Sequence, residues 1–175
     1  MFKLHLFLLL QLPTAFFSGV RIKSLQENVC ITSVKHRWIN QNPFGSIYFA
    51  VLAMAAELST GTLVLQKIKA SNKKVSMLVT HQKSTFLKKA KGRITFTCTD
   101  GKLIDDALKK SFQTGEGQTI WMKSIGIDEE NEVVTEMEFE WSFESEKWFL
   151  KQLLTTQGTP KYSQVLSTSP HSNFL

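Results

Sequence analysis

Glu57 is the only formally charged side chain between Arg37 and Lys67, and every residue from Ile47 to Ala56 before it is apolar. A carboxylate is costly to bury alone, so it must be paired, hydrogen-bonded, protonated or beside water. Free beside a cleft, it is suited to act as general base on water or as nucleophile. Held by a base such as Arg37 or Lys83, it would be structural instead. Its helical neighbours are Ala50, Ala53 and Met54 on the preceding turns and Thr60 and Gly61 on the next. Small residues on that face leave room for a ligand or for close helix packing. Thr60 can bond the Glu57 side chain or bond back to the helix backbone. Asn42 either orients a water or ligand carbonyl or caps the helix. Tyr48 either donates to a ligand or is a core aromatic with a solvated tip.

Other chemistries find less support. No Gly-x-Ser-x-Gly sequence exists for a serine hydrolase, and the four His are isolated at positions 5, 36, 81 and 171. Cys30 and Cys98 lie in strand-like runs without metal-ligand spacing, so neither metal nor cofactor is expected. They read as buried thiols of a reduced, cytoplasmic protein, with one disulfide as the alternative. The net charge is +6, yet it is blocked: nine Lys or Arg and no acid from Lys67 to Arg93, nine Asp or Glu and no base from Asp128 to Glu146. These blocks bind an anion or pair with each other, and pairing or a solvated surface is favoured. With Phe86 the one aromatic amid those bases and no nucleic-acid module motif, a nucleic-acid partner is not expected.

The elements that position these residues follow from periodicity. Residues 1–17 read either as a secretory signal or as an N-terminal helix terminated by Pro13. His5 and Gln11 interrupt the apolar run, and Pro13-Thr14-Ala15 is a poor cleavage site. The packed helix is favoured, held by Leu6, Leu9, Leu10, Phe16 and Phe17; the stretch is too short to span a bilayer. Residues 19–25 and 29–39 read as paired strands, and a helix follows from 47, apolar on all sides and therefore buried on all sides. A short strand is expected at 75–80 and an alternating one at 92–99, then a helix at 103–112 stopped by Gly115. A hairpin joins 118–127 to 132–143, whose second arm turns Val133, Thr135, Met137, Phe139, Trp141 and Phe143 to one face and Val134 with the glutamates to the other. The Ser-, Thr- and Pro-rich tail reads as disordered.

The class is α+β: a curved antiparallel sheet of about six strands around one buried helix. Three regions are expected, an N-terminal helical segment at 1–18, a central domain at 19–145 and a C-terminal extension at 146–175.

This order resembles the hotdog fold, most sharply in Asn42-Pro43-Phe44-Gly45-Ser46-Ile47-Tyr48 and the helix after it. Lys88-Lys89-Ala90-Lys91-Gly92 before a strand and Trp141-Ser142 closing the last one add to the likeness. The sequence looks like the uncharacterised bacterial relatives of PaaI-like acyl-CoA thioesterases. In those enzymes an Asn-x-x-Gly segment leads to His-Gly-Gly, with an acid nine residues after the His. Asn42 and Gly45 match the first part and Glu57 falls at the acid position. Tyr48 replaces the His, and Phe49-Ala50 replace the glycines. The helix's remaining apolar surface and the wet outer face of strand 132–143 leave room for a homodimer, and the resemblance implies that it hydrolyses an acyl thioester such as an acyl-CoA. Glu57 would be base or nucleophile and Asn42 an accessory group. Gly45, Tyr48, Phe49, Ala50 and Thr60 would contact substrate, and the N–H groups of Phe49 and Ala50 would serve as oxyanion donors. Lys88, Lys89 and Lys91 would hold coenzyme A phosphates. The alternative is a non-catalytic acyl- or lipid-binding hotdog dimer, to which the substituted helix start points.

Overall fold

Alternation of apolar and polar residues builds the sheet, and one long apolar helix fills it. The computed structural model describes residues 2–145; the expected extension at 146–175 lies outside the described residues. The strands are β1 (Arg21–Leu25), β2 (Cys30–Lys35), β3 (Val75–Phe86), β4 (Arg93–Cys98), β5 (Gln118–Ile127) and β6 (Val133–Ser145). They form one antiparallel sheet in the order β1-β2-β4-β5-β6-β3. Ile94, Phe96 and Cys98 of β4 point inward and are fully buried. From β6, Met137, Phe139, Trp141 and Phe143 join them as alternation requires. At the start of β6 the parity is reversed: Val134 is buried and Val133 exposed. A β-bulge opposite Gly126 and Ile127 inserts one residue there and corrects the expected facing.

β3 runs six residues beyond its expected end at 80, because its polar half finds partners on β6. Lys83 lies 4.0 Å from Glu138 and His81 Nδ1 2.7 Å from Glu140. Lys88 joins Asp128 at 2.5 Å and also meets Glu132. The basic and acidic blocks therefore pair in part with each other. On a wet surface such contacts are screened by solvent and add little to stability.

The central helix α3 spans Phe49–Ala70. It starts two residues later than its apolar run, since Ile47 N–H donates to Ala90 O at 2.9 Å and Tyr48 N–H to Asn40 O at 2.8 Å. Those bonds hold the chain extended up to Tyr48. By length and composition α3 is able to cross a membrane, but most of it is buried in this fold. Val51, Leu52, Ala55, Ala56, Leu58 and Leu63 face the sheet. Burial on all sides does not hold, however: Ala50, Ala53, Met54 and Glu57 are only partly covered and Leu65 is exposed. Lys67 Nζ ties the far end of α3 to Asp105 at 2.6 Å and to Asn28 Oδ1 at 3.2 Å. Asp105 belongs to α4 (Gly101–Thr114), which Gly115 ends in the left-handed conformation, φ 68°.

Two helices, α1 (Phe2–Gln11) and α2 (Pro13–Phe17), precede β1. Pro13 opens the second helix rather than closing a single one. The packing face also differs from expectation: Leu4, Leu8, Ala15 and Phe16 meet the core, whereas Leu6, Leu9, Leu10 and Phe17 are exposed. The expected second strand ends at Lys35, and Trp38–Asn40 form a 3-10 turn. Cys30 and Cys98 are free, buried and opposite each other on β2 and β4. Burial pushes both thiols up to about 12.

Gly126 marks the tightest crossing in the sheet. A Cβ there would meet the Phe96 ring at 2.6 Å and Thr135 at 2.9 Å. Gly126→Ala is therefore expected to lower the unfolding free energy by about 2 kcal/mol through overpacking. Urea denaturation checks this, and an unchanged midpoint would contradict it.

Candidate active site

Glu57 sits midway along the uncovered stripe of α3, with Ala53 and Met54 one turn before it and Gly61 one turn after. Its carboxylate has no ion pair or hydrogen bond among the described residues, so neither proposed base holds it. Lys83 Nζ instead lies 3.9 Å over the Trp121 ring, and Arg37 is exposed. Burial alone raises the Glu57 carboxyl from 4.5 to about 7. The group is thus divided between acid and base near neutrality, as proton transfer at that pH requires.

Gly61 is what lets the carboxylate lie back along the helix. A Cβ at that position would stand 2.9 Å from Glu57 Oε1 and 3.2 Å from the Trp141 ring. Trp141 walls the inner side, and its Nε1–H donates to Thr60 Oγ1 at 3.0 Å. Thr60 in turn donates to the backbone carbonyl of Glu57 at 2.9 Å. Of the two roles open to it, Thr60 back-bonds; its hydroxyl is fully buried and already engaged. Trp141 escaped the sequence reading as a site residue, whereas Gly61 entered it only as one of the small neighbours that leave room beside Glu57. The signal for Gly61 is a lone glycine four residues after a lone acid in an Ala-rich helix.

The helix start carries the remaining candidates. Asn42 does not cap α3: its Oδ1 accepts the N–H groups of Phe44 and Ser46 at 3.0 and 3.2 Å, and its Nδ2 donates to Ser46 Oγ at 3.0 Å. It therefore closes the turn through Gly45, which takes φ 70°. Tyr48 is the N-cap residue, half-exposed and edge-on to Phe49, their ring centroids 5.0 Å apart. It is not a core aromatic. The N–H groups of Phe49 and Ala50 have no partner among the described residues and point out of the helix with its positive dipole end. Lys89 and Lys91 are exposed on either side of Ala90, whose carbonyl bonds Ile47, so both flank the helix start. Lys88 is committed to Asp128 and Glu132.

Distance divides these groups into two clusters. Phe49 and Glu57 are eight residues apart, about 12 Å along a helix rising 1.5 Å per residue. One carbonyl cannot touch both within a single chain. A groove of about 420 Å³ between α3 and α4, lined by Lys67, Lys73, Asp105, Lys109 and Phe112, lies at the opposite end of α3 and does not reach Glu57. No group of His, Cys, Asp and Glu able to hold a metal occurs among the described residues.

A curved antiparallel sheet embracing one central helix is the hotdog fold. The chain belongs to the DUF4442 family, a domain of unknown function, whose pattern it matches over residues 5–143. No curated protein matches the sequence significantly. Solved structures share the fold. A Pseudomonas aeruginosa protein of unknown function, described as a probable thioesterase, superposes with a TM-score of 0.73 at 23% identity over 82% of this chain and 94% of its own. A Chlorobaculum tepidum protein of unknown function gives 0.70 at 18% identity, covering 82% and 93%. A putative thioesterase from Shewanella oneidensis gives 0.66 at 10%, covering 81% and 95%.

The raised Glu57 carboxyl fixes a sign for stability. Below pH 4.5 it is protonated in both folded and unfolded chains. Between 4.5 and about 7 the unfolded chain ionises first, so the folded state loses stability as pH rises. Glu57→Gln is therefore expected to match the wild type near pH 4 and to exceed it above pH 7 by up to about 3 kcal/mol. Urea unfolding across that range tests this; a difference independent of pH would contradict it.

Proposed function

We propose that the protein is an acyl-thioester hydrolase acting on an acyl-CoA or similar ester, with Glu57 as general base or nucleophile. The observation that carries this reading is the unpaired carboxylate on the open stripe of α3, titrating near 7. As base, Glu57 takes a proton from water, the hydroxide adds to the thioester carbonyl, and collapse expels the thiolate, which recovers the proton. As nucleophile, it adds to the carbonyl and expels the thiolate to form a mixed anhydride, which water cleaves to the free acid and the Glu57 carboxylate while the thiolate takes up the proton released. In both routes negative charge develops on the carbonyl oxygen, and the free N–H groups of Phe49 and Ala50 suit it as donors.

Since those donors lie about 12 Å from Glu57 along their own helix, the reading requires that they come from a second copy of the chain. Two features support such a homodimer. Among the described residues β3 is a twelve-residue edge strand paired with β6 alone, and its outer backbone groups invite pairing with a two-fold mate. The uncovered stripe of α3 needs cover as well. In this reading Asn42 and Gly45 shape the turn before the donors and Tyr48 lines the mouth, and the exposure of Lys89 and Lys91 beside the helix start supports contact with coenzyme A phosphates. The free buried thiols of Cys30 and Cys98 support a reducing compartment such as the cytoplasm.

A second reading, a non-catalytic acyl- or lipid-binding dimer, is favoured by Phe49, whose exposed ring narrows the approach to the N–H donors. Steady-state assays on acyl-CoA esters of graded chain length separate the two. Hydrolysis is expected, with Glu57→Ala lowering kcat/KM by about 10²- to 10⁴-fold. Turnover no faster than that of Glu57→Ala on every ester would end the enzyme reading, and acyl-CoA retained in native mass spectrometry would then favour binding.

A further inference from the structure

The N-terminal third carries an apolar surface that the core does not use and that borders the proposed catalytic site at the turn holding Phe44. Its hub is Asn40, a buried residue whose Nδ2 donates to the carbonyls of Ser18 and Lys35, both at 2.9 Å. Its Oδ1 accepts Arg37 N–H at 2.8 Å, and its backbone carbonyl accepts Tyr48 N–H at 2.8 Å. The end of α2, the turn after β2 and the approach to α3 are thereby stapled together. Each turns large apolar side chains outward beside the staple: Trp38 is 84% exposed, Phe44 75%, Phe17 64% and Ile39 57%. Such large residues bury themselves in most folds, and clusters left open mark interaction sites.

Charge says what kind of partner fits. Lys3, Arg21, Lys23, Lys35 and Arg37 stand against a single acid in the first 56 residues, Glu27. Glu27 occupies the β1–β2 turn, at the far end of both strands from Asn40, about 15 Å away at the strand rise. Lys35 and Arg37 are exposed and form no ion pair among the described residues. The same sheet end carries Arg93, opposite Lys35, and Glu129, which accepts Arg93 N–H at 3.3 Å. The exposed aromatics thus stand beside an excess of bases and complement an anionic lipid surface. The rings settle at headgroup depth while the bases meet phosphates.

We propose that this face docks the protein peripherally on an anionic bilayer, through Trp38, Phe44, Phe17 and Ile39 with Lys35 and Arg37 at their rim. A second copy of the chain is the less favoured occupant, because a two-fold contact through this face would oppose like charges. The face also borders β1, whereas the free β3 edge is five strands away, about 24 Å across the sheet. Docking there leaves pairing through β3 unobstructed.

Flotation of the full chain with phosphatidylcholine vesicles, with and without phosphatidylglycerol, tests the proposal. Partitioning is expected to be at least about tenfold stronger on the anionic vesicles and to weaken with added salt. Trp38→Ser should lower it about tenfold on those vesicles, and Arg37→Gln about fivefold. Both side chains are exposed, so both variants should keep the wild-type melting temperature. Absent flotation, equal partitioning onto the two lipids, or partitioning unaffected by Trp38→Ser would overturn the proposal. So would a Trp38→Ser protein that sediments as a smaller oligomer, which would make this face a contact between copies.

Discussion

Enclosing a 22-residue helix that has no polar side takes more surface than one six-stranded sheet provides. That constraint organises the molecule. The sheet curves round α3 and covers Val51, Leu52, Ala55, Ala56 and Leu58, while α4 and the Lys67–Asp105 pair secure the far end. What the sheet cannot reach is the stripe of Ala50, Ala53, Met54 and Glu57. The same shortage of cover leaves the one core-helix acid at the margin of the core, mostly buried, and leaves a face for a second helix or a ligand. Structural incompleteness and candidate chemistry occupy the same stripe.

The environment of Glu57 is built from the opposite side. Trp141 on β6 closes the inner wall, and its indole N–H fixes Thr60, which fixes the Glu57 carbonyl. Gly61 keeps open the space into which the carboxylate folds. An apolar wall with no compensating donor is what raises the carboxyl, and a hydrogen-bonded or salt-bridged acid would have moved the other way. Structural acids in folded cores carry a partner; this one has none among the described residues.

Much of this was legible before the fold was seen. The β4 pattern of Ile94, Phe96 and Cys98, the α4 stop at Gly115 and the singular acid in the apolar helix are local signals, and each holds. The misses have tertiary causes. β3 continues through polar residues because β6 supplies partners fifty residues away, and parity at Val133 and Val134 reverses at a bulge. The N-terminal helices pack with Leu8 and Ala15 because Pro13 breaks the segment in two and reorients it. Asn42 reads locally as a cap but serves a turn, since Asn40 and Ala90 have already claimed the backbone that leads into α3. The likeness to a thioesterase motif brought Glu57 and the Phe49-Ala50 amides to one site; helix geometry separates them by about 12 Å in one chain.

That separation yields the most direct test. Pro is tolerated in the first turn of a helix, so Ala50→Pro removes one donor N–H with little disturbance of α3. Glu57→Ala removes the carboxylate. If base and donors meet across two copies, equimolar subunit exchange between these two variants rebuilds one intact site in every hybrid dimer. Thioesterase activity should then rise from near zero to about a quarter of the wild-type value, the yield of random pairing. A mixture no more active than its parents would contradict a site shared between Glu57 of one chain and the helix start of another.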